Sequence, residues 1–144
     1  MLRVFLGVIF AIAVRPKLMA GPAFAGILRG FLTNVGLQNA HPFYQSIITN
    51  SLLPHIDVIA TLVVIAESCV AVALITGTAT RLAGLVAMFL VTNYMFTKGL
   101  WWWNPSSNDG ADFMIALALV IGAAGRTWGV DALLAKKWPR VPLW

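Results

Sequence analysis

Glu67 has the most chemistry to offer in this sequence, because it stands near the middle of the apolar run Pro54 to Gly77. Roughly 20 apolar residues at a rise of 1.5 Å each cross a ~30 Å hydrocarbon layer, so a run of this length is a candidate membrane span. A carboxylate at that depth costs about 2.5–3.5 kcal/mol on insertion scales. It therefore needs a cation, a proton or a water-filled cavity. Partners can be sought by depth. Glu67 lies ten residues before Gly77, about 15 Å of helix rise. The same rise counted from Arg81 arrives at Leu90 to Asn93, with Tyr94 beside it. Arg15 is about 18 Å from Arg3, and Asp112 about 21 Å from Arg126. Arg15, Glu67, Asn93, Tyr94 and Asp112 thus stand at matching depth for one polar layer within a bundle, and Lys17, expected to snorkel toward one face, is the alternative cation to Arg15.

Such a layer supports two kinds of chemistry. Arg15 or Lys17 paired with Glu67 or Asp112, with Asn93 bonding across helices, would fix the register of a bundle and nothing more. The same groups could line a pocket for a polar-headed lipophilic ligand such as a quinone, or a proton path. His41 and His55 are the only histidines, and both fall near one face. His55 or His41 could contact a quinone carbonyl or ligate the metal of a tetrapyrrole, and His41 before Pro42 also suits a helix start. No HExxH pattern and no second histidine at i+4 points to a protein-built metal site. Cys69 is the sole cysteine, which excludes an internal disulfide and a CxxC motif. No GxSxG and no glycine-rich phosphate loop is present.

The elements that must position these residues follow from composition. Sixty per cent of the 144 residues are hydrophobic and 10% charged, against about 25% charged in soluble domains. The expected fold is all-α, an integral membrane four-helix bundle in a single domain, 1–144. Its spans are expected at about 2–20, 54–77, 81–98 and 110–126. Cationic Arg15 and Lys17 after Ala11-Ile12-Ala13 disfavour cleavage there, so the first span is expected to stay attached, with a kink near Pro16. Segments 22–35 and 42–53 read as short interfacial amphipathic helices, the first ending at Asn34 or Gly36. Gly77 suits the residue after a helix, and Thr78 or Thr80 the cap of the next. Asp109 or Asp112 is placed to cap the fourth span. Trp101, Trp102 and Trp103 fit an interfacial aromatic belt. A short amphipathic helix is expected over 130–137.

Charge sets the orientation. The net charge is +5. Four spans place Arg3, Arg81, Arg126, Lys136, Lys137 and Arg140 on one side, and Arg15, Lys17, Arg29 and Lys98 on the other with Asp109 and Asp112. The positive-inside rule then puts both termini in the cytoplasm. Anionic lipid headgroups suit these scattered cations, and nucleic acid does not.

Several segments together resemble the DoxX family of small bacterial membrane proteins. They are Leu2-Arg3 with a first span ending in Lys17-Leu18, Glu67 in the second span, and the Gly77-Thr78-Ala79-Thr80-Arg81 turn. Gly122-Ala123-Ala124-Gly125-Arg126, followed by Trp128-Gly129-Val130-Asp131-Ala132-Leu133-Leu134, completes the set. The resemblance implies a four-helix membrane bundle and a link to quinone-dependent oxidation of sulfur compounds, or to thiol-redox complexes. The expected role is that of a small subunit in a larger redox or energy-transducing complex, respiratory or photosynthetic. That role is mainly structural, with membrane lipids and other membrane subunits as partners and a quinone, pigment or shared lipid as the possible cofactor. The alternative is a quinone-binding oxidoreductase subunit that uses the polar layer. A small transporter is the third reading.

Overall fold

Four long helices carry the architecture. The computed structural model describes residues 1–122 and 129–137, and within them every regular element is helical. Helix α1 spans Leu2–Ala20, α2 Phe24–Phe31, α3 Leu37–Asn39 and α4 Pro42–Ile47. Helices α5 (Ile56–Thr76), α6 (Thr80–Lys98), α7 (Asp109–Gly122) and α8 (Val130–Lys137) follow. Among the described residues two helical runs are long and apolar enough to cross a membrane, Leu2–Asn39 and Ile56–Thr76. The last residues expected in the fourth span, 123–126, and the tail after Lys137 lie outside the described residues.

The main core joins α1, α5, α6 and α7 through Leu6, Phe10, Val70, Leu74, Ala87, Met95 and Leu119. Small residues bring these helices close. A Cβ on Gly7 would stand 2.9 Å from Ile75 Cγ1 and 3.0 Å from the Ile75 backbone nitrogen, so α1 lies directly on α5. Gly84 plays the same part between α6 and α7, where a Cβ would approach the Ala116 carbonyl oxygen to 3.2 Å. The outer faces stay apolar: Ile12, Leu62, Ile65, Val72, Phe89 and Ile121 are all more than half exposed.

Segment 21–53 holds two helical stretches, 21–39 and 42–52, and the first continues the path of α1 and runs past the end expected at Asn34 or Gly36. The helical path turns at Gly21, with φ +52°, through the 3₁₀ turn Gly21–Ala23. It then passes Asn34 and Gly36 in a π-helical turn, Leu32–Gly36, and ends at Asn39. A second π turn, Ile48–Leu52, prolongs α4. Single π turns are rare and concentrate at functional sites. Leu32, Tyr44 and Ile48 form a second core with Ile56, closing the ends of α5 and α6.

The turn between α5 and α6 ends as its sequence indicates. Gly77 adopts the left-handed conformation, φ +76°, and its N–H bonds the Ala73 carbonyl at 2.8 Å. The expected threonine cap of α6 does not form. The cap position is Ala79, itself at φ +47°, with no cap from its own segment. Asp131 of α8 supplies the cap instead. Its Oδ1 accepts the Ala79 N–H at 2.6 Å and its Oδ2 the Thr80 N–H at 2.8 Å, with the side chain fully buried. A carboxylate against the first amides of a helix also meets the positive end of its dipole.

Candidate functional site

Glu67 is 1% exposed and belongs to the inner face of α5. Two donors converge on its Oε1. Lys17 Nζ forms an ion pair with it from α1, and the Tyr94 hydroxyl donates to it from α6 at 2.5 Å. Lys17 Nζ also stands over the Tyr94 ring, 5.4 Å from its centroid, and over Phe24 at 5.7 Å. Four elements thus meet at one charge, and the cation is held by both carboxylate and aromatic faces. Glu67 Oε2 is buried without a hydrogen-bond partner among the described residues. An orphaned buried acceptor costs about 1–3 kcal/mol, which marks this oxygen as a place for a further polar group or a proton.

Arg15, the first cation suggested by depth, is exposed and does not reach this centre. The reason is rotation about the helix axis. Residues two apart lie on different faces, so a helix that points Lys17 at α5 points Arg15 outward. Asn93 also turns away from Glu67. Its Oδ1 accepts from the Tyr44 hydroxyl at 2.5 Å, and its Nδ2 donates to the Phe89 carbonyl at 2.7 Å. Burial pushes the Tyr44 phenol above its ordinary value, against an opposing effect of the Thr97 hydroxyl, so Tyr44 remains the donor. Asp112 sits within electrostatic reach of Asp109 and Lys98, which pair at 2.7 Å, rather than joining Glu67.

The histidines are apart from this centre. His41 caps α4, its ring 4.5 Å from that of Trp101 and its Nε2 3.4 Å from the Leu100 carbonyl oxygen. His55 precedes α5 and is exposed. Among the described residues no three His, Cys, Asp or Glu side chains gather as a metal would require. Tyr44 and Thr97 were not among the residues singled out from the sequence. One signal was available: the chain has only two tyrosines, and both donate hydrogen bonds in this region.

Two grooves flank the centre. One, of about 420 Å³, lies between α2, α4, α5 and α6. Tyr44, Asn93, Tyr94 and Thr97 form its polar end, and Val63, Ala66 and Val86 are among its apolar walls. Leu62 and Phe89 stand at its exposed rim, 55% and 67% accessible. Its volume falls within the about 300–1,000 Å³ typical of small-molecule sites. The other groove, of about 430 Å³, runs between α1, α2 and α5, with Lys17, Asp57 and Thr61 as its polar members.

No curated protein and no solved structure matches this chain. The family model for DoxX matches residues 1–99, which takes in α1 through α6 with Lys17, Glu67 and Tyr94. The Gly122–Leu134 segment lies beyond that match. With more than half of its length so matched, and two helical runs long and apolar enough to cross a membrane, the chain is a membrane protein of the DoxX family.

Proposed function

We propose that the protein is a four-span subunit of a redox or energy-transducing membrane assembly, and that its own task is to hold a quinone-class molecule. The observation that carries this reading is the groove between α2, α4, α5 and α6. It offers apolar walls for an isoprenoid chain and four hydrogen-bonding side chains at one end for a ring with carbonyl or hydroxyl oxygens. Its rim of Leu62 and Phe89 faces outward, so a lipophilic molecule would enter from the bilayer rather than from water. In this reading α1, α5, α6 and α7 cross a bacterial cytoplasmic membrane with both termini inside, and Trp101–Trp103 lie at the outer headgroup level. Segment 21–53 then roofs the ligand's polar head.

A purely structural role is the second reading. It is favoured by the pairing of Lys17 with Glu67, which ties α1 to α5 with no ligand needed. The oxidation of sulfur compounds or thiols belongs to partner subunits in either case. Binding separates the two. Decylubiquinone added to the protein in nanodiscs is expected to quench tryptophan fluorescence saturably. Leu62→Trp, which fills the rim, is expected to weaken that binding about tenfold, or about 1.4 kcal/mol. Equal affinity for the wild type and Leu62→Trp would overturn the quinone reading.

A further inference from the structure

The two grooves share no lining residue, yet each is lined by a residue that bonds the same carboxylate. Lys17 lines the groove between α1, α2 and α5 and pairs with Glu67. Tyr94 lines the groove between α2, α4, α5 and α6 and donates to the same Glu67 oxygen. From the geometry we infer that Lys17–Glu67–Tyr94 is a proton wire, with the Lys17 groove as its aqueous port and the Tyr94 groove as its ligand end. The inference rests on the reading of the Tyr94 groove as a quinone site.

The two grooves differ as port and binding site should. The Lys17 groove has an exposed acid, Asp57, and an exposed hydroxyl residue, Thr61, on its wall, and it reaches the start of α5. The Lys17 side chain retains 20% exposure although its amine is paired, so part of it faces its groove. The Tyr94 groove has no charged residue in its lining. Across the wire each transfer breaks one N–H or O–H bond and forms another. A ligand hydroxyl gives its proton to Tyr94 Oη as the Tyr94 hydroxyl proton passes to Glu67. The Glu67 carboxyl protonates Lys17 after Lys17 has released a proton to water beside Asp57. No electron moves along this path, and the reverse sequence delivers a proton to the ligand. The proton in transit is carried on Glu67 Oε1, the oxygen that both Tyr94 and Lys17 bond, while Oε2 makes no hydrogen bond among the described residues. The other charged groups near the wire are Asp109 on α7, within electrostatic reach of Tyr94, and Lys98, which pairs with Asp109. They lie toward α7, away from the Lys17 groove.

The test uses the whole chain in nanodiscs. A step in the pH of the medium is followed in the infrared at the Glu67 carboxyl stretch, assigned by its loss in Glu67→Gln or its shift in Glu67→Asp. The Glu67 signal is expected to follow the step. Thr61→Trp, an exposed position on the port wall, is expected to slow it severalfold while leaving decylubiquinone binding unchanged. A response as fast in Thr61→Trp as in the wild type would overturn the port. So would a Glu67 signal that never moves over the pH range in which the protein stays folded. Failure of decylubiquinone to bind the wild type would instead overturn the quinone reading, and the infrared result would still decide whether Lys17 connects Glu67 to water.

Discussion

Lys17 and Glu67, separated by 50 positions in the chain, form an ion pair between α1 and α5, and the glutamate is almost wholly buried. Removing one member of a buried pair strands the other charge, at a cost of about 3–5 kcal/mol. Lys17→Met is therefore expected to lower stability by that order in thermal unfolding in detergent. Arg15→Gln, on the outward face, is expected to stay within about 0.5 kcal/mol of the wild type. Combining Lys17→Met with Glu67→Leu removes both charges and should recover most of the loss. A double variant no better than Lys17→Met alone would show that the helices depend on more than the pair.

Asp131 holds the start of α6 from the far end of the chain. Loss of an N-terminal cap costs about 0.5–2 kcal/mol, so Asp131→Ala should destabilise by that amount and Asp131→Asn by less. Hydrogen exchange should quicken at the Ala79 and Thr80 amides before the rest of α6 responds. Because Ala79 is held at positive φ, Ala79→Gly should be neutral or mildly stabilising in the same assay.

Gly7 sets the distance between α1 and α5. A side chain there meets Ile75 backbone as well as its side chain, leaving little room to adjust. Gly7→Val is expected to cost about 1–3 kcal/mol by overpacking and to be worse than Gly7→Ala. The comparison needs only melting curves for the two variants.

Tyr44 and Asn93 tie the roof segment to α6. Tyr44→Phe removes one hydrogen bond, worth about 0.5–1.5 kcal/mol, and leaves Asn93 Oδ1 without its donor. Limited proteolysis of the protein in nanodiscs should then cut within 40–53 faster than in the wild type. Decylubiquinone affinity should fall with it, because Tyr44 lines the polar end of the groove. Faster cutting with unchanged affinity would place the quinone head away from Tyr44.

Features governed by neighbours in the chain were legible in the sequence. The apolar runs gave the helices, Gly77 gave the left-handed end of α5, and His41-Pro42 gave the start of α4. A carboxylate in an apolar run announced the need for a partner at Glu67. Helix rise placed Arg15 and Tyr94 among the candidates, since depth along an axis depends only on residue count, and Lys17 entered only as the alternative cation to Arg15. Rotation about that axis does not. It is set by which faces pack, through contacts such as Gly7 on Ile75, and so tertiary structure alone chose Lys17 over Arg15. It likewise sent Tyr94 to Glu67 and Asn93 to Tyr44, one residue and about 100° apart. The capping of α6 by Asp131 joins residues 52 apart, and no local pattern encodes it. The grooves are spaces between helices, which exist only once the helices have packed.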